Sequence, residues 1–168
     1  MRIRELVPGE EATLRDVFLS SVHQLARGDY TDEQINAWAP VTYDSKKWHE
    51  KIATMRPFVA VVGSRVAGYA DLQPSGHIDH FFVSGEFARR GVGSALMRHL
   101  HAVAEERGLS ELSADVSLAA ERFFVRHGFA VNIRQSVSVM GVALSNARMV
   151  KVLLPGSSCR TNPLRGSA

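Results

Sequence analysis

A single cysteine, Cys159, stands in 168 residues, which excludes an internal disulfide. Long apolar runs are missing as well. None approaches the roughly 18 to 20 residues that a spanning helix needs, so no membrane partner is expected. The opening MRIRELVPGEE lacks the apolar stretch of a secretory signal, and a cytoplasmic location is expected. No block of like charge appears either. The formal net charge is +3, with arginines scattered among glutamates as in AEERG and AAERFFVRHG, which gives no support to a nucleic-acid partner. A small anionic ligand suits the mild positive bias. The chain has no internal repeats.

What is present is the composition of an ordinary folded protein, 45% hydrophobic and 22% charged, at a length that fits one domain with a sizeable core. That domain is expected over residues 1–154. The stretch PGSSCRTNPLRGSA, 155–168, has the turn-forming polar composition of a loose tail.

Periodicity supplies the elements. RIREL reads as a short strand. Between Gly9 and Arg27, the spacing of Leu14, Val17, Phe18, Val22 and Leu25 places one apolar stripe on a helix. Thr31 with Gln34 three residues on is a capping-box pattern, and its helix should stop before Pro40. Asp44 is placed to cap a helix carrying Trp48 and Ile52. PFVAVVG, RVAGYADLQ and HIDHFFV follow as three strands separated by GSR and PSG, which predicts an antiparallel meander. A helix with Val92, Leu96, Leu100 and Val103 on one side ends near Gly108. ELSADVS is a strand, LAAERFFVRHG a helix, and FAVNIRQSVSVM and NARMVKVLL two more strands. Helices interrupting a mostly antiparallel sheet make the class α+β.

The segment FARRGVGSAL opens the fourth helix. The first N–H groups of a helix have no partner inside it, and with the helix dipole they form an anion site. Gly91 and Gly93 let the backbone approach a ligand closely, and Arg89 and Arg90 add positive charge. A phosphate or diphosphate held by main-chain N–H groups is the natural guest; a tight strand-to-helix turn with solvated arginines is the plain alternative. The segment lacks the lysine of a Walker A loop. Leu96 stands where a dinucleotide fingerprint needs its third glycine.

Together, FFVSGEFARRGVGSAL and SLAAERFFVRHGF resemble the two signatures of the GNAT-family N-acetyltransferases, in the right order. The likeness spans roughly residues 1–154, and YTDEQINAWA is similar to one bacterial branch of that family. The resemblance implies a GNAT-like fold, a mixed and mostly antiparallel central sheet with splayed strands flanked by helices. It implies acetyl-CoA as co-substrate and acetyl transfer to a primary amine of a small molecule or an exposed amino group. The diphosphate would lie on the N–H groups of Arg89, Arg90, Gly91, Val92, Gly93 and Ser94. The pantetheine arm would run along the main chain of Phe81, Phe82 and Val83, beside Phe123 and Phe124. Three positions depart from the family pattern. Ala88 replaces Gln or Arg, Ser117 stands where Asn is usual, and Phe124 replaces the tyrosine that often protonates the departing thiolate.

The chemistry sets two proton problems. An amine with a pKa near 10.4 costs about 4.6 kcal/mol to hold neutral at pH 7 in water, so a base or a desolvating pocket is required. A thiol with a pKa of roughly 8.5 leaves more easily, and the loss of a tyrosine acid is survivable. In several branches of the family the base lies four or six residues before the closing valine of the strand. Those positions are Asp79 and His77. Alternation would put 77, 79, 81 and 83 on one face of HIDHFFV and 78, 80 and 82 on the other. Asp115 and Ser117 share a face at the end of the next strand. Asp115 is a candidate to position the substrate, or a cap. Tyr30, Trp38 and Trp48 fall in the helical segment that usually covers the acceptor in this family, and Tyr30 and Trp38 are the candidate acceptor contacts. No metal is expected, because His77 and His80 point apart and His99 and His101 sit about 200° apart on a helix. A late strand edge leaves room for a homodimer. A non-catalytic acyl-CoA sensor and a nucleotide-binding interaction domain would use the same cradle.

Overall fold

The computed structural model describes residues 1–155. The expected tail, Cys159 included, lies from residue 156 onward outside the described residues. The elements are β1 (Arg2–Glu5), α1 (Glu11–Leu25), α2 (Asp32–Trp38), α3 (Ser45–Met55), β2 (Phe58–Val62), β3 (Arg65–Ala70), β4 (His77–Ile78), β5 (Phe81–Val83), α4 (Val92–Glu106), β6 (Glu111–Ser117), α5 (Glu121–Arg126), β7 (Ala130–Val139) and β8 (Val142–Val152). A single 3-10 turn, Gly85–Phe87, precedes α4.

The local signals act as their chemistry requires. Thr31 Oγ1 accepts from the Gln34 N–H at 3.2 Å, and the Thr31 N–H donates to Gln34 Oε1 at 2.9 Å, closing the capping box of α2. Asp44 Oδ1 accepts from the Lys47 N–H at 3.1 Å and starts α3. On α1 the stripe buries Leu14, Val17, Phe18 and Val22, while Leu25 stays exposed. On α4 it buries Val92, Leu96 and Leu100.

The strands form two four-stranded sheets, ordered β1-β2-β3-β5 and β4-β6-β8-β7. Among the described residues, only the β4–β6 pair is parallel. Two cores follow. One packs α4 and α5 residues, including Leu96, Leu100 and Phe124, against Ala114, Val116 and Met149. The other gathers α1, α2 and α3 around Ile52, Val59 and Tyr69.

The expected antiparallel meander is present as β2, β3 and β5, but its third strand is shorter than expected. HIDHFFV is not one strand. Its first two residues pair in parallel with Ser113 and Ala114 of β6, and its last three pair antiparallel with Gly68, Tyr69 and Ala70 of β3. The chain passes from one sheet to the other at Asp79 and His80. Alternation fails there: Ile78, Phe81 and Val83 pack on the α4 core, and Phe82 packs on the other.

Candidate active site

The passage at Asp79–His80 is held by a carboxylate. Asp71 is fully buried. Its Oδ1 accepts from the N–H of Asp79 at 2.9 Å and of His80 at 2.7 Å. The Asp71 N–H donates back to the His80 carbonyl at 3.1 Å. These bonds satisfy backbone groups that the broken ladder would otherwise strand in the interior. Burial pushes the Asp71 carboxyl above its ordinary value, with the Asp79 charge adding and the N–H bonds opposing. The consequence is geometric. With β4 tied to β6 and β5 tied to β3, β5 and the end of β6 run the same way but diverge, and a slit opens between them.

The slit is a cavity of about 220 Å³ walled by Phe81, Phe82 and Val83 on one side and Ala114–Ser117 on the other, with Phe123, Phe124 and Gly93 among its other walls. β5 is an edge strand in its sheet, so its main chain is free to pair with an extended guest. Phe81 packs against Phe123 and Phe124 at centroid distances of 5.4 and 5.6 Å.

One end of the slit widens into a groove of about 1380 Å³ whose walls include Arg89 and Gly91–Ser94. Arg89 and Gly91 are left-handed, with φ of 59° and 80°. That curls the backbone ahead of α4 into a concavity lined by N–H groups. Among the described residues, the N–H groups from Arg89 to Ser94 take no side-chain acceptor and make at most the weak closures of the turn at 88–91. The two glycines serve different needs. Gly91 supplies the positive φ, whereas a Cβ on Gly93 would come within 3.2 Å of the Phe123 ring. The Arg90 guanidinium turns away and stacks over Phe87 at 5.0 Å. Arg122 and Arg126, four apart on α5, add charge to the groove. Their spacing on one helix face is legible in the sequence, although neither lies in the glycine segment. Ser94 Oγ and His127 Nε2 share a hydrogen bond of 3.3 Å. Burial first, then Lys151, Arg126 and Arg98, keep the His127 imidazole below its ordinary value.

The other end of the slit meets a second cavity of about 390 Å³ under α1–α3, lined by Arg15, Phe18, Trp48, Lys51 and His80 among others. Five residues wall both spaces: Trp38, Asp79, Phe82, Asp115 and Ser117. Asp79 Oδ2 lies 3.4 Å from Lys51 Nζ and 3.9 Å from His80 Nε2. His80 is buried, its Nδ1 3.0 Å from the Tyr69 hydroxyl. Burial, aided by Lys51 and opposed by Asp79, lowers its pKa to about 4, so it is neutral at pH 7.

The candidates from sequence fall in different surroundings. His77 borders none of the three spaces. Its Nδ1 is 3.0 Å from Ser113 Oγ on the parallel neighbour. Asp115 walls both cavities with its carboxylate engaged by Arg148 Nε at 2.6 Å and Gln135 Nε2 at 2.8 Å. Those contacts hold it below the usual carboxylate range. The Tyr30 hydroxyl donates to the Ser145 carbonyl at 2.6 Å and accepts from the Leu118 N–H at 3.0 Å, so it clasps α2 to the β8 side of the pocket. Trp38 is half-buried and packs edge-on against Tyr30. Asp71, His80 and Arg15 carry little signal in the sequence: strict alternation turns His80 away, and nothing local marks an acid that bonds eight and nine residues along. No cluster of three metal-ligating side chains occurs among the described residues. None of their helices is long and apolar enough to cross a membrane.

A slit between splayed strands, with an N–H-lined concavity at one end and a second cavity at the other, is the architecture that an acyltransferase of the coenzyme A type requires. The model of the acetyltransferase (GNAT) domain matches residues 26–151. The chain is 35% identical over 149 residues to the uncharacterized N-acetyltransferase YafP of Escherichia coli K12, covering 89% of this chain and 94% of that one. A GCN5-related N-acetyltransferase from Rhodopseudomonas palustris superposes with a TM-score of 0.86 at 32% identity, over 90% of this chain and 95% of that one. YncA from Salmonella typhimurium, solved with its cofactor acetyl-CoA, shares the fold at a TM-score of 0.66 and 18% identity, over 98% and 99% of the two chains. The chain belongs to the GNAT acetyltransferase family. It is an N-acetyltransferase with acetyl-CoA as its donor.

Proposed function

We propose that the protein acetylates the primary amine of a small molecule within the cavity under α1–α3. The observation that carries this is the shared wall. Trp38, Asp79, Phe82, Asp115 and Ser117 border both the slit and the acceptor cavity, so a thioester in one and an amine in the other meet at a single place. The N–H groups of Arg89–Ser94, with Arg122 and Arg126, would hold the diphosphate. The main chain of Phe81–Val83 would pair with the pantetheine arm, with Phe124 packed alongside and Ser117 offering a hydroxyl.

Asp79 is assigned the proton-handling role. Its carboxylate would draw in the ammonium and accept or relay the proton, while Phe18, Trp38, Trp48 and Phe82 disfavour the charged amine by desolvation. Together these must offset the cost of about 4.6 kcal/mol at pH 7. His77, tied to Ser113, is given no proton transfer. Phe124 supplies no acid, and the coenzyme thiolate leaves at its own pKa of roughly 8.5. A cytoplasmic setting and a homodimer joined along the exposed β7 edge complete this reading.

Calorimetry with acetyl-CoA, CoA and ATP, followed by thiol release across an amine panel, tests it. Acetyl-CoA binding with amine-dependent release is expected. Binding without release from any amine would replace the enzyme with an acyl-CoA sensor, and tighter binding of ATP would point to a nucleotide module.

A further inference from the structure

Arg15 lies in the wall of the cavity under α1–α3 and has no counter-charge among the described residues. It is 6% exposed. Its Cζ lies over the rings of Phe18, Tyr43 and Trp48, 5.0, 4.4 and 5.0 Å from their centroids. Its Nη2 donates to the Pro40 carbonyl at 2.6 Å. Its Nε is buried without an acceptor. No carboxylate lies within 4 Å of it among the described residues.

The other charges of the cavity cancel. Lys51 faces Asp79 at 3.4 Å, and Asp115 is taken by Arg148 at 2.6 Å. One positive charge is therefore left over, beside a wall of Phe18, Tyr30, Trp38, Trp48 and Phe82. Burying a charge without a partner is costly, and the aromatic faces offset only part of the cost. Among the described residues Nη1 makes no hydrogen bond and, unlike Nε, is not sealed off, so it is the donor left for an oxyanion such as a carboxylate. A second unmatched group lies in the same wall: Asn146 Oδ1 is buried with no donor.

We propose that the acceptor is an amino carboxylate, its carboxylate held by Arg15 and its amine presented at Asp79. This rests on the acetyltransferase reading above and narrows it to one class of amine. A single cation matches a monoanion, so carboxylates are expected to outrun the dianionic aminophosphonates of the same length.

The test compares glycine, β-alanine, 4-aminobutanoate and the common α-amino acids with their carboxamides, which keep shape and amine but lose the charge. Thiol release from acetyl-CoA gives kcat/KM, and calorimetry on the CoA-saturated protein gives binding without turnover. At least one carboxylate is expected to exceed its carboxamide by about 10- to 100-fold, the worth of a charge-assisted bond in a desolvated site. Arg15→Gln should erase most of that preference, falling mainly on KM for the acceptor, and Arg15→Lys should keep part of it. Acetyl-CoA affinity is the control for folding, and the wild-type comparison stands alone if a variant fails to fold. The inference is overturned if no carboxylate beats its carboxamide in either readout, or if the preference survives in folded Arg15→Gln. Turnover of neutral amines alone would refute it and leave the enzyme reading intact, whereas failure to bind acetyl-CoA would remove both.

Discussion

Removing the Asp71 carboxylate should loosen the slit between β5 and β6. In Asp71→Ala the His80 N–H, buried and bonded at 2.7 Å in the wild type, is left without an acceptor. That costs about 1–3 kcal/mol. The Asp79 N–H, bonded at 2.9 Å, is nearer solvent and adds about 1 kcal/mol. The expected loss is about 2–4 kcal/mol, a large part of the roughly 5–15 kcal/mol that holds a domain together. Asp71→Asn keeps a carbonyl oxygen for both N–H groups and should stay within about 1 kcal/mol of the wild type at pH 7. The pH dependence carries a sign. Burial raises the Asp71 pKa, so the folded state binds its proton more tightly than the unfolded chain. Its contribution to stability is full below the ordinary carboxylate value and is lost as pH rises through the raised one. Asp71→Asn lacks that loss and should therefore gain on the wild type between pH 4 and pH 7. Urea unfolding followed by circular dichroism at both values, with acetyl-CoA KM measured alongside, reads this out. Asp71→Ala within 1 kcal/mol of wild type, or Asp71→Asn as damaging as Asp71→Ala, would refute the reasoning.

His80 should contribute in the opposite direction. With its pKa lowered to about 4, its share of stability is present above the unfolded value of about 6.5 and drains away as pH falls toward 4, about 3 kcal/mol at most. His80→Gln should flatten that limb of the curve in denaturant titrations. Gly93→Ala places a methyl 3.2 Å from the Phe123 ring and should raise the acetyl-CoA KM on the order of 10-fold through a shifted cradle; an unchanged KM would separate Gly93 from the coenzyme. Asp79→Asn should lower kcat on the order of 100-fold with acetyl-CoA affinity retained, while His77→Ala keeps rate and pH profile. The reverse pattern would return the base to His77.

What the sequence made legible was local. The Thr31–Gln34 box and the Asp44 cap are closed by residues three apart. The glycine turn works through backbone groups within six residues, so its shape could be read from FARRGVGSAL. The slit could not be read this way. It depends on Ile78 finding Ala114 across more than thirty residues, and on one acid reaching a sheet-to-sheet crossing that no periodicity announces. The same limit applies to Tyr30 and Asp115. Their hydroxyl and carboxylate are engaged by Ser145, Leu118, Arg148 and Gln135, partners that only the assembled fold supplies. Arg15 shows the converse: on α1 it reads as one more helical arginine, and its isolation emerges only once Phe18, Tyr43 and Trp48 enclose it.

The divergence of β5 from β6 also makes this protein a pair of leaves with no backbone ladder across the gap between them. A coenzyme arm laid along Phe81–Val83 would act as a cross-beam, supplying from outside the rungs that the polypeptide omits. Occupancy should then harden the whole molecule, adding about 2.7 kcal/mol at a hundredfold excess over Kd. Amide exchange should slow first at 81–83 and 115–117, the two rims that the beam would join.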